Sequence, residues 1–117
     1  MAFNTTFLLT GVAQRATMKD MIKSCGNKNT EKIWARASVK GVPLKLQTQA
    51  YRKLQTINAA AVVNDLRIPP GNKLKPLQGK KWGGWHQVRV NNKYRIRFKW
   101  KNGHAYDVRF GDFHDKQ

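Results

Sequence analysis

A chain of 117 residues, 40% of them hydrophobic, has the size of one domain with a single core. The single Cys25 excludes an intramolecular disulfide, no zinc-ligand spacing occurs, and no apolar stretch approaches the ~20 residues of a membrane-spanning helix. With 23 Lys and Arg against 6 Asp and Glu, a formal charge of +17, the chain calls for a polyanionic partner.

The acids are Asp20, Glu31, Asp65, Asp107, Asp112 and Asp115, so none falls between Asp65 and Asp107. That interval holds Arg67, Lys73, Lys75, Lys80, Lys81, Arg89, Lys93, Arg95, Arg97, Lys99 and Lys101. Concentrated positive charge among aromatics is the footprint of a nucleic-acid binder, whereas a merely solvated surface mixes both signs. An acidic protein partner can share such a patch. One unpaired cysteine and the absence of a membrane helix fit a cytoplasmic protein.

In chain order, residues 1–20 read as an N-terminal extension or a misassigned start, with Met21 as the expected beginning of the folded domain. Their apolar run Phe7 to Ala13 is preceded by no Lys or Arg and so lacks the front of a signal peptide. The folded domain is expected over residues 21–117. Ile22, Lys23 and Ser24 suit a short edge strand. Asn29 or Thr30 is expected to cap a first helix with Ile33, Trp34 and Ala37 buried and Lys40-Gly41 as its stop. Pro43 opens a second helix, in which Leu46, Ala50, Leu54, Ile57 and Ala61 form an amphipathic stripe.

Arg67 to Asn72 must be a loop, since Pro69 and Pro70 remove two donors and Gly71 invites a turn. Beyond it the period becomes two. Val88 and Val90 alternate with Arg89; Tyr94, Ile96, Phe98 and Trp100 alternate with Arg95, Arg97 and Lys99; Tyr106, Val108 and Phe110 alternate with Asp107 and Arg109. Asn91-Asn92 and Asn102-Gly103 are the hairpin turns, the second suited to type I′. The fold class is therefore α+β: two N-terminal helices packed on one face of a C-terminal antiparallel sheet. The other face is expected to be an open basic surface of Arg89, Arg95, Arg97, Lys99 and Arg109.

Several segments resemble the HigB-type toxins of the RelE/ParE superfamily. They are Met21 to Ser24, Asp65-Leu66-Arg67 through Pro69-Pro70-Gly71-Asn72-Lys73-Leu74, Leu77 and Gly79, Val88 to Asn91, Tyr94-Arg95-Ile96, and the terminal Asp112-Phe113-His114. The resemblance implies the RelE-like fold and a toxin of a type II toxin-antitoxin system that cleaves mRNA in the ribosomal A site. It also implies contacts with ribosomal RNA and a hetero-oligomer with a HigA-like helix-turn-helix antitoxin. Two positions depart from the pattern. Some members carry histidine where this chain has Lys75, and many carry tyrosine where it has Phe113, which cannot transfer a proton.

RNA cleavage without a metal or other cofactor needs a base for the 2′-hydroxyl, a donor for the leaving oxygen, and cations for the phosphorane. His114 is the candidate proton carrier, since an imidazole titrates near pH 6.5; the alternative is a solvated terminal histidine. Asp112 would orient or polarise it, or is an ordinary exposed carboxylate. Arg95 presents paired donors to nonbridging oxygens and is the candidate phosphate stabiliser, against a plain surface arginine. Lys75 would supply charge. Arg67, Lys73, Lys80, Lys81, Arg89, Arg97 and Lys99 are candidate RNA contacts, and Phe113 can stack on a base.

His86 shares the parity of Val88 and reads as a core or edge histidine, and His104 as an exposed turn neighbour. Trp82 and Trp85 suit base stacking, a lid over the helices, or an antitoxin contact. Two functions of other classes compete with the nuclease: a ParE-like gyrase poison of the same fold, and a non-enzymatic basic RNA-binding protein. A toxin relative with weakened catalysis is a third.

Overall fold

The computed structural model describes residues 22–113. The expectations for residues 1–20, for Met21 and for His114 lie outside the described residues.

Helix α1 spans Lys28–Trp34 and is capped by Asn27, whose Oδ1 accepts from Thr30 N at 2.9 Å. The sequence pointed to Asn29 or Thr30 as the cap. Thr30 is instead fully buried, where its hydroxyl donates to Asn27 Oδ1 and accepts from Phe110 N at 2.8 Å. A buried hydroxyl needs such partners, and they tie the helix to the far end of the chain. The helix stops six residues before Lys40, because Arg36 takes a φ of 64°. Past that point the helical period is broken, and Ala37, expected inside, is exposed.

Helix α2 spans Leu44–Ala59 with Pro43 at its N-cap. Leu46, Ala50, Leu54 and Ile57 are buried as their spacing requires. Ala61 is not, since the helix ends at Ala59 and the extended Ala60 takes the core position instead. Gln47 holds the loop between the helices, donating to Val39 O and Val42 O and accepting from Val39 N.

The proline-rich loop forms two 3-10 turns, Val63–Arg67 and Pro70–Asn72. Buried Asn72 organises it, donating to Leu66 O at 3.1 Å and Ile68 O at 3.4 Å while accepting from Lys53 Nζ.

Four antiparallel strands follow in spatial order β1-β2-β3-β4: β1 Lys75–Pro76, β2 Trp85–Arg89, β3 Arg95–Lys101 and β4 His104–Gly111. Two residues carry no period, so β1 was invisible in the sequence, and its proline is tolerated because the strand lies at an edge. At the other edge the expected strand at Ile22 is reduced to two isolated parallel bridges, Ile22 to Ala105 and Cys25 to Val108. Asn102 and Gly103 have φ of 53° and 81°, as a type I′ turn demands. Asn91 Oδ1 accepts from Lys93 N and Tyr94 N to close the other hairpin.

The helices cover the face that bears Val88, Ile96, Phe98, Ala105, Val108 and Phe110, all buried. Tyr94 stacks on Phe110 with ring centres 5.0 Å apart. One strand departs from the expected alternation. The register slips between Arg97 and Lys99, where Asp107 adopts a φ of 52°. This β-bulge inserts one residue into β4, so Ala105 faces the core and Tyr106, expected there, falls opposite Lys99 on the other face.

Candidate nucleic-acid interface and active site

The open face of the sheet is built in rows by strand register. Arg89 pairs with Arg95, and Arg95 with Gly111. Lys75 pairs with Gln87, Gln87 with Arg97, and Arg97 with Arg109. Trp85 pairs with Lys99, and Lys99 with Tyr106.

Lys73, Lys75, Gln87, Arg89 and Arg95 line one cleft of about 150 Å³. Four of the predicted site residues therefore meet in space, drawn from three separate stretches of chain, with no carboxylate in the lining. Both arginines are anchored on the β2-β3 hairpin. Arg95 Nη1 donates to Asn91 O at 2.6 Å and Tyr94 O at 3.2 Å. Arg89 donates through Nε to Asn91 O and through Nη2 to Asn92 Oδ1. Anchoring one edge of a guanidinium fixes where its remaining N–H donors point, which is the preorganisation that anion binding rewards.

Arg97 is a correction. Strand parity places it among the outward cations, yet it is only 5% exposed. Its guanidinium carbon lies 5.1 Å from the Trp82 ring and 4.6 Å from the Phe113 ring, and its Nε donates to Gln87 Oε1 at 3.0 Å. Two aromatic lids take the place of solvent, so the face is not the uniform basic surface expected.

The same contacts bear on one of the roles expected for Trp82 and Trp85, a lid over the helices. Trp82 is held in the 3-10 turn Lys80–Trp82 and meets Trp85 edge-on with ring centres 5.1 Å apart. Arg109 reaches across to Trp85, its guanidinium carbon 5.7 Å from the ring. Both tryptophans lie on the open face, not over the helices. Phe113 rests against Gly111, where a Cβ would come within 3.2 Å of the ring. It ends the described chain beside the row of Arg95.

The remaining candidates are more dispersed. Asp112 is near Lys93, its Oδ2 3.9 Å from Nζ. Lys80 and Lys81 are exposed beside Trp82. Lys99 is exposed further along β3, in a different cleft. Arg67 donates to Asn64 Oδ1 at 2.6 Å and does not line the arginine cleft.

His86 is half-buried against Phe98, ring centres 6.1 Å apart, as its parity implied. Burial pushes its pKa below the ordinary 6.5; a backbone hydrogen bond with Gly84 opposes the shift and the charge of Arg67 adds to it. His104 is not an exposed turn neighbour. It opens β4, half-buried, with its Nδ1 out of solvent. Among the described residues no three His, Cys, Asp or Glu side chains gather as a metal site would require, and no helix is long and apolar enough to cross a membrane.

Comparison with known proteins agrees with this fold. The chain is 42% identical over 64 residues to Toxin HigB-1 of Vibrio cholerae, a match that covers 55% of this chain and 66% of that protein. It is 32% identical over 94 residues to Endoribonuclease HigB of Proteus vulgaris, covering 80% of this chain and all of that one. An uncharacterised protein of Haemophilus influenzae is 39% identical over 61 residues, covering 52% of this chain and 59% of that one. The sequence pattern of the HigB-like family, the RelE-like toxin of type II toxin-antitoxin systems, matches residues 24–114. With two helices packed on a four-stranded antiparallel sheet and that match along nearly the whole domain, the chain belongs to the HigB-like toxin family.

Proposed function

We propose that this toxin is a ribosome-dependent endoribonuclease that cuts mRNA in the ribosomal A site, using acid-base and electrostatic catalysis from its own side chains. The observation that carries this reading is the convergence of Lys73, Lys75, Arg89 and Arg95 on one cleft free of carboxylates. A pentacovalent phosphorane gains negative charge relative to the diester, so donors fixed before the reaction favour the transition state over the substrate.

Arg95 offers the free edge of its anchored guanidinium to the nonbridging oxygens. Lys75, exposed on the edge strand, adds charge where some members of the family carry histidine. Arg89 and Lys73 hold the neighbouring backbone. His114 follows directly on Phe113 and carries the proton between the 2′-hydroxyl and the leaving 5′-oxygen, with Asp112 orienting it. Phe113 supplies a ring for a base, and Lys80 and Lys81 contact phosphates without sequence preference.

As a type II toxin it pairs with a cognate antitoxin, and a HigA-like helix-turn-helix protein is the partner proposed. The name of the Proteus vulgaris relative supports the nuclease. Primer extension on messages after brief induction of the toxin tests it. Discrete cuts within codons are expected; intact messages with blocked replication would assign the toxin to gyrase instead.

A further inference from the structure

Among the described residues four aromatic side chains belong to the open face, Trp82, Trp85, Tyr106 and Phe113, and none is among those packed against the buried core cluster. Three have partners there. Trp82 and Phe113 enclose Arg97, and Trp85 meets Trp82 and Arg109. Tyr106 has none among the described residues. The bulge at Asp107 therefore takes a tyrosine from the core side and sets it, half-buried, on the open face.

What surrounds Tyr106 is chemically specific. Lys99, Lys101, Asn102, Tyr106 and Asp107 line a cleft of about 320 Å³. Both lysines are exposed, and among the described residues neither is paired with Asp107. The arginine cleft, at about 150 Å³, is far smaller than the ~300–1,000 Å³ of ordinary ligand sites and suits a phosphate group alone. The Tyr106 cleft reaches that range, with a ring to stack on, two cations, an amide and a carboxylate.

A carboxylate among the cations disfavours a site for bare phosphate. It suits a nucleotide, whose phosphates meet the lysines, whose base stacks on Tyr106, and whose exocyclic amine donates to Asp107. Arg95 and Lys99 are four residues apart on β3, roughly 13 Å at ~3.3 Å per residue. The aromatic layer around Arg97 lies between them, so a nucleotide here is not the one being cut.

We propose that this cleft is a second RNA subsite, which takes one unpaired nucleotide away from the scissile phosphate and prefers a base with an exocyclic amine over uracil. The proposal rests on RNA being the substrate. A subsite remote from the reacting bond binds substrate and transition state alike, so its loss falls on affinity rather than on the saturated cleavage rate.

The test measures binding of a fluorescein-labelled, mixed-sequence, single-stranded RNA by anisotropy, with single-turnover cleavage on programmed ribosomes in parallel. Tyr106→Leu should weaken RNA binding at least about five-fold, the low end of the cost of losing one base stack. Its melting temperature should hold, because Tyr106 is not part of the core. The double variant Lys99→Ala/Lys101→Ala should flatten the salt slope by about one per lost phosphate contact. Oligomers of A and C should bind more tightly than oligomers of U, and Asp107→Gly, which suits the positive φ, should erase the difference.

A parent toxin that cleaves RNA while both variants bind it as tightly overturns the subsite and leaves the nuclease standing. Loss of antitoxin binding with RNA affinity intact would make the cleft a protein interface and equally overturn the proposal. A parent that neither binds nor cleaves RNA sinks the nuclease reading itself.

Discussion

The guanidinium carbon of Arg97 lies 4.6 Å from the centre of the Phe113 ring, joining the middle of β3 to the residue before His114. On its other side is Trp82 at 5.1 Å, and Gln87, itself buried, accepts from Arg97 Nε. A buried arginine in this arrangement does not display its charge to RNA. It lies between the two rings and bonds to Gln87, which lines the arginine cleft.

Arg97→Met keeps the length of the side chain and removes its donors. Gln87 Oε1 then loses its partner inside the protein, at a cost of about 1–3 kcal/mol. Urea denaturation should show that loss, and adding Gln87→Leu should recover part of it, because two apolar partners leave nothing unsatisfied. If Arg97→Met is as stable as the parent, the enclosed guanidinium has no structural role.

Arg95→Ala should reduce cleavage by about 10²–10³, the usual result of removing one preorganised donor from a developing oxyanion. Arg95→Lys should recover little, since a single ammonium cannot span two nonbridging oxygens while keeping the bonds to Asn91 O and Tyr94 O. Single-turnover rates on programmed ribosomes decide this, with thermal melting to establish that each variant is folded. Wild-type cleavage by folded Arg95→Ala would remove the phosphate role.

His114→Gln should preserve ribosome binding and lower cleavage roughly 10²–10⁴-fold, the range for a lost general acid or base. Glutamine keeps hydrogen bonding and reach but carries no titratable proton. Asp112→Asn should cost less, because it disturbs orientation and field without removing the proton carrier. Equal losses of binding and cleavage by His114→Gln would make the residue a docking contact.

Stability should fall as pH drops below 6.5. The fold depresses the His86 pKa, chiefly through burial, so near that pH the unfolded chain takes up the proton more readily than the folded one. The stabilisation from this group is complete above 6.5 and is lost as pH falls toward the lower folded value. Urea midpoints measured between neutral pH and the onset of carboxylate titration should show the decline, and His86→Gln should flatten it. An unchanged slope in that variant would assign the effect to another group.

Local pattern alone determined much of this protein. The stripe Leu46, Ala50, Leu54, Ile57 and the alternation from Tyr94 to Trp100 announce their elements, because neighbours a few residues apart decide which side of a helix or strand is apolar. Asn102-Gly103 names its turn for the same reason, and the ordered segments ending in Asp112-Phe113-His114 carried the family. The cleft was half legible: Lys73, Lys75, Arg89 and Arg95 stood out as cations in an acid-free stretch, but only strand register brings them together. The remainder was decided in three dimensions. Thr30 left the cap position because Phe110, 80 residues away, needs its hydroxyl. Arg97 left the solvent because Trp82 and Phe113 close over it from two other segments. Tyr106 changed faces because one extra residue at Asp107 reverses the side chains that precede it in the strand relative to Val108 and Phe110, and the period of the sequence carries no mark of where a backbone turns to positive φ.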